Sequence, residues 1–118
     1  MKSIHVPFIT IEHEDKDLLV SFAMGENAER SLTLLRTPIY EVLLDEDERG
    51  VSVGTGESDL EDRQLLVSVS FSKDTVLLKT TGKDYLLSVR LVAEDELTEA
   101  KLVLYKMNFD GKFAITDA

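Results

Sequence analysis

The chain reads as an α+β domain, a mainly antiparallel and twisted β-sheet of about six to eight strands with one C-terminal helix. Three observations point there. Apolar and polar residues alternate with period two along several segments, most clearly from Leu65 to Ser72. Turn-forming clusters such as Gly25-Glu26-Asn27 and Gly82-Lys83-Asp84 punctuate those segments. Helix formers gather in one run near the C-terminus, with the acids first and the lysines later.

At the start, Ile4, Val6, Phe8 and Thr10 alternate with His5, Pro7, Ile9 and Ile11, and Pro7, which lacks a ladder donor, implies an edge or bulged strand. After the acidic turn Glu14-Asp15-Lys16-Asp17, residues Leu18, Val20 and Phe22 alternate again, so residues 3–23 are expected to form a hairpin. Ser31 to Arg36 is a strand that stops before Pro38, whose preceding Thr37 is pushed toward extended backbone. Tyr40, Val42 and Leu44 are expected on the face of a further extended segment, with a helix opened by Pro38 as the less favoured alternative. Val51 and Val53 give a short strand, and Ser58-Asp59-Leu60-Glu61 fits a capping box able to start one helical turn.

Leu65, Val67, Val69 and Phe71 are expected on one face of a strand, with Leu66, Ser68, Ser70 and Ser72 on the other. Thr75 to Thr80 pairs with it through Ser72-Lys73-Asp74, and Tyr85, Leu87, Val89, Leu91 and Ala93 make the third strand of a meander. Between Asp95 and Met107 a strand alternation competes with a helical stripe of Leu97, Ala100, Leu104 and Met107. The helix is favoured by composition and by Asp95, Glu96 and Glu99 preceding Lys101 and Lys106. Asp110-Gly111 ends it, and Phe113-Ala114-Ile115 is read as a last short strand.

A length of 118 residues suits one domain spanning 1–118, and 43% hydrophobic with 31% charged residues excludes wholesale disorder. No apolar run approaches the ~18 residues of a membrane helix, and the N-terminus lacks an export signal's apolar core. Without cysteine there is no disulfide, thiolate nucleophile or zinc-thiolate site, and a cytoplasmic location is expected.

Charge is unevenly placed. Residues 41–63 hold nine carboxylates against Arg49 and Arg63, which is seven of the chain's ten net negative charges. Such a field attracts a basic protein partner and repels nucleic acid and anionic membrane. The candidate partner-binding residues are Asp45, Glu46, Asp47, Glu48, Glu57, Asp59, Glu61 and Asp62, with Tyr40 as an anchor beside them. The competing reading is that these acids only keep a sheet-rich protein soluble and its edges unpaired.

Catalytic readings find little support. No Gly-x-Ser-x-Gly turn is present, and Ser68, Ser70 and Ser72 alternate as the polar face of a strand. His5 and His13 would lie about 26 Å apart along a straight strand, too far to share a metal. The chain lacks Trp, so a carboxylate pair has no aromatic-rich sugar cleft to serve, and a carboxylate-based hydrolase is the weakest class. Asp45-Glu46-Asp47-Glu48-Arg49-Gly50 starts like a calcium loop, but Arg49 stands where an oxygen ligand is needed and Gly56 where a bidentate Glu belongs. Gly54-Thr55-Gly56 runs into acids that repel phosphate. No catalytic, metal or cofactor residue is therefore assigned.

Taken in order, Leu18-Leu19-Val20-Ser21-Phe22-Ala23, Ser31-Leu32-Thr33-Leu34-Leu35-Arg36, Gly50-Val51-Ser52-Val53, Thr75-Val76-Leu77-Leu78-Lys79 and the acid-started segment at 95–107 resemble the immunity protein 10 family. Those are small bacterial proteins proposed to neutralise toxins delivered in contact-dependent competition. Gly54-Thr55-Gly56-Glu57 departs from the acidic-plus-glutamine stretch expected at that place, so the resemblance implies only a general role. That role is non-catalytic binding of a toxin domain. A β-rich interaction domain with no toxin partner is the alternative.

Overall fold

The computed structural model describes residues 3–13, 17–46, 49–55 and 64–117. Its class is α+β: nine strands among the described residues, most of them antiparallel, and one C-terminal helix. In chain order the strands are β1 (Ile4–His5), β2 (Ile9–His13), β3 (Leu18–Met24), β4 (Arg30–Arg36), β5 (Ser52–Gly54), β6 (Gln64–Phe71), β7 (Thr75–Thr80), β8 (Asp84–Ser88) and β9 (Ala114–Asp117). A 3-10 helix, Pro38–Leu43, follows β4, and α1 (Glu94–Met107) precedes β9. No helix among the described residues is long and apolar enough to cross a membrane.

Spatial order along the sheet is β1-β8-β7-β6-β5-β4-β3-β2, with β9 beside β6. The two end strands are neighbours in the chain, so the sheet curls until its ends meet. Pro7 lies at the join. The Val6 N–H bonds to Ser88 O on β8, while His5 O accepts from Gly25 N–H just beyond β3. The expected hairpin over 3–23 is thus corrected. Only β2 and β3 form it, from Ile9↔Phe22 to His13↔Leu18, and β1 leaves to run parallel to β8. One strand split at a proline therefore serves both ends of the sheet.

A second correction concerns β6. Its pairing with β7 runs Leu66↔Thr80 and then Ser68↔Lys79, leaving Val67 as an extra residue in a bulge. An added residue moves side chains across to the other face. Leu66, Val69 and Phe71 are therefore buried while Val67 is exposed, and the expected run Leu65-Val67-Val69-Phe71 does not share one face. The meander of β6, β7 and β8 stands, although β8 stops at Ser88, and Leu91 lies exposed in the turn before α1.

The core gathers Val20, Phe22 and Met24 of β3, Leu32 and Leu34 of β4, Val69 and Phe71 of β6, and Val76 and Leu78 of β7. Upon it α1 lays Ala100, Val103, Leu104 and Met107, a spacing that keeps one helical stripe inward against β2 and β3. Glu94, Asp95 and Glu96 occupy its first turn and Lys106 its last, the order the helix dipole favours. Leu97 packs half-buried against the core, and the remaining apolar members of α1, Leu102 and Tyr105, are exposed.

Leu104→Ala is expected to cost about 2–5 kcal/mol, because Leu104 is fully buried between helix and sheet. Leu102→Ala on the outer face should stay within about 0.5 kcal/mol of the parent. Urea titration of both variants checks this, and comparable losses would contradict the placement of the helix.

Candidate functional site

The alternation of β4 turns Leu32, Leu34 and Arg36 inward, so an arginine occupies a place where an apolar residue would ordinarily sit. Arg36 is 1% exposed. A guanidinium carries five N–H donors, and each left unpaired at such a depth would be costly. Every one is used. Nε and Nη2 donate to Glu41 Oε2 and Oε1 at 2.7 and 2.9 Å, and Nη1 and Nη2 donate to Asp110 Oδ1 and Oδ2 at 2.9 and 2.7 Å. The second Nη1 hydrogen goes to Met107 O at 2.6 Å, and the guanidinium carbon lies 4.2 Å from the centre of the Phe109 ring.

Burial works against the charge of Arg36, but its hydrogen bonds to Asp110 and Glu41, with the attraction of both carboxylates, outweigh this and raise its pKa. The same hydrogen bond holds the Asp110 carboxyl below its ordinary range, against a smaller opposing effect of desolvation. Accepting at Met107 O satisfies one of the orphan carbonyls at the end of α1 and sets a cation at the negative end of the helix dipole. Three elements are thereby tied together: the end of β4, the 3-10 helix and the end of α1.

Glu41 is the only buried residue of the 3-10 helix. Because the acid must turn inward to reach Arg36, the apolar residues of that short element turn outward. Ile39, Tyr40, Val42 and Leu43 are 53, 59, 74 and 81% exposed. Here the expectation of extended backbone with Tyr40, Val42 and Leu44 on one face is corrected to the 3-10 helix that Pro38 opens. Thr37 O accepts from Tyr40 N–H at 3.1 Å, and Thr37 Oγ1 donates to Asp17 Oδ1 at 2.9 Å. Beyond it, Arg49 donates from Nε and Nη2 to Leu44 O at 3.2 and 3.1 Å, and Lys112 Nζ donates to Glu46 O at 3.1 Å. The 3-10 helix thus forms an outward apolar ridge, and the chain after the ridge is held by cations on its carbonyls.

The ridge separates two depressions. One, of about 340 Å³, has walls from Leu35, Tyr40, Leu43 and Leu44, with the Arg36 and Glu41 pair also in its lining. The other, of about 510 Å³, is lined by Pro38, Val42 and Phe109 together with Glu41, Glu46 and Asp110 against Arg36, Arg49 and Lys112. Its formal charges balance. Glu41 is a buried carboxylate beside a cleft, the arrangement an acid–base enzyme would use, yet both its oxygens are engaged by Arg36, as are both of Asp110.

Of the acids read from the sequence, Asp45 and Glu46 stand exposed next to the ridge, and Tyr40 lies on it as an outward ring. Asp47, Glu48, Glu57, Asp59, Glu61 and Asp62 lie outside the described residues, as does the capping box at 58–61. Sequence reasoning missed Ile39, Val42 and Leu43 as surface and Arg36 as their cause. The available signal was an arginine in phase with Leu32 and Leu34, followed five residues later by a glutamate. His13 lies at the end of β2, with Nε2 3.7 Å from Glu99 Oε1 and Nδ1 3.3 Å from Lys106 Nζ, far along the chain from the ridge. Among the described residues no group of three or more His, Asp or Glu stands together as a metal site. Comparison of the chain with protein-family models, with curated proteins and with solved structures found no match.

Arg36→Ala should cost about 3–5 kcal/mol, since it leaves Glu41 buried without its cation. Replacing both, as Arg36→Met with Glu41→Leu, is expected to recover part of that loss in chemical denaturation. A double variant no better than Arg36→Ala would contradict the pairing. The lowered Asp110 pKa has a definite sign: its stabilisation is fully present above the ordinary carboxylate pKa and is lost as pH falls through the lower, folded value. Asp110→Asn should therefore be less stable than the parent at neutral pH, with the gap closing in acid. A gap unchanged across an acid titration monitored by circular dichroism would contradict it.

Proposed function

We propose that the chain is a non-catalytic binding protein that docks a basic protein partner on the 3-10 ridge and its acidic flank. One observation carries the reading. Four large apolar side chains in one short element stand more than half exposed, immediately before Asp45 and Glu46, on a backbone fixed by a buried ion pair. Single exposed apolar side chains are ordinary, but four together in one short element with a charged border match the usual anatomy of a docking surface. The acids of 41–63 would then steer the encounter, and the apolar ridge would set residence time.

Toxin neutralisation is the more specific form of this proposal. It rests on the resemblance of the strand segments to the immunity protein 10 family and on the fit between an acidic surface and a basic toxin domain. A hydrolase built on carboxylates is less well supported, because Glu41 and Asp110 spend their oxygens on Arg36.

The test is kinetic and uses a toxin-like protein encoded beside this chain's gene. Replacing Asp45, Asp47 and Glu48 by Asn, Asn and Gln should lower the association rate and flatten its salt dependence while dissociation changes little. Ile39→Ser with Leu43→Ser should do the reverse, raising dissociation by about tenfold or more at nearly constant association rate. Equal rates for parent and both variants would remove the ridge from the interface. Failure of the chain to protect cells expressing that toxin would remove the immunity role.

A further inference from the structure

The ridge has unlike sides, and the difference bears on what the partner presents. On the side toward β4 and β5, the 340 Å³ cleft has apolar walls from Leu35, Tyr40, Leu43 and Leu44. Its charged lining, Arg36 and Glu41, is mutually satisfied, and among the described residues no buried side-chain nitrogen or oxygen lacks a partner. Thr37 and Ser52 add hydroxyls to the lining, but its walls are mainly apolar, so an apolar guest gains more there than a polar one. The volume lies at the small end of the ~300–1,000 Å³ range of ligand pockets, enough for one large side chain. Asp45, next in the chain after Leu44 of the cleft wall, is exposed, and its carboxylate has no partner among the described residues.

We infer that the docked partner is a cationic protein segment bearing one large apolar side chain, of leucine or phenylalanine size, which seats in this cleft with lysine or arginine on either side of it. This rests on the docking role proposed above and adds the identity of the anchor. Charge complementarity selects the occupant. A second copy of the chain would bring another ten net negative charges to the same place, and nucleic acid or anionic lipid would meet the same repulsion. The opposite depression suits an apolar anchor less well, because three carboxylates and three cations line it. The cleft is also held in shape before binding. Glu41 fixes the 3-10 helix through Arg36, and Arg49 holds Leu44 through its carbonyl, so less ordering remains to oppose association.

The test uses isotope-labelled full chain and synthetic nonapeptides of lysine and glycine with a central Leu, Phe or Ser, and a Leu peptide with glutamate in place of lysine. The Leu and Phe peptides should shift the resonances of Leu35, Tyr40, Leu43 and Leu44 saturably, and the Ser peptide should bind about tenfold or more weakly. Leu43→Ser, at a position too exposed to threaten the fold, should weaken the Leu peptide to the level of the Ser peptide and leave the latter unchanged. Equal affinity for Leu and Ser peptides, with shifts confined to Asp45 and Glu46, would overturn the anchor and leave the acidic docking surface standing. Binding of the glutamate peptide as tightly as the lysine one, or of none at millimolar concentration, would overturn both. Concentration-dependent self-association that shifts the same four residues would overturn the inference by making a second copy the occupant.

Discussion

Burial of the Arg36 guanidinium is the constraint on which the rest of this region depends. Taking a charge out of water costs several kcal/mol, and a single carboxylate rarely offsets it fully. Here two carboxylates, a helix-terminal carbonyl and an aromatic face share the task. Because the fork of donors is planar and rigid, the acceptors must come from fixed directions. β4, the 3-10 helix and the end of α1 are thereby locked in mutual orientation, although Arg36 and Asp110 are far apart in the chain.

The ridge follows from this lock. In a six-residue 3-10 helix with one inward position, that position is taken by Glu41, and Ile39, Tyr40, Val42 and Leu43 are displaced outward. Full burial of an apolar side chain of this size is worth roughly 1.5–3 kcal/mol, so several of them left in water forgo a stabilisation comparable to the net stability of a small domain. An arrangement selected for stability alone would place them inside. Their exposure is what the docking role proposed above would account for.

In the docking role proposed above, the acidic segment and the ridge would divide labour by range. Charges act over about a Debye length, roughly 8–10 Å at moderate salt, and govern encounter. Apolar contact acts only on touching and governs how long a complex lasts. Asp45 and Glu46 directly follow the ridge, so both effects would reach the same partner surface.

The sequence by itself determined the α+β class, β3, β4 and the meander of β6 to β8, because period-two alternation is a local property that a sheet with one buried face enforces. It also determined α1, where acids before lysines and the stripe ending in Leu104 and Met107 outweighed a competing alternation. Only the tertiary structure decided the rest. The parting of β1 from β2 at Pro7 depends on β8 and β3 meeting there, and the bulge at Val67 depends on its register against β7. The direction in which Ile39, Tyr40, Val42 and Leu43 point depends on Asp110 and Met107, which lie some seventy positions further along the chain, arriving beside Arg36. Local pattern records which residues prefer to be buried, but it cannot record which distant charge claims the one inward place.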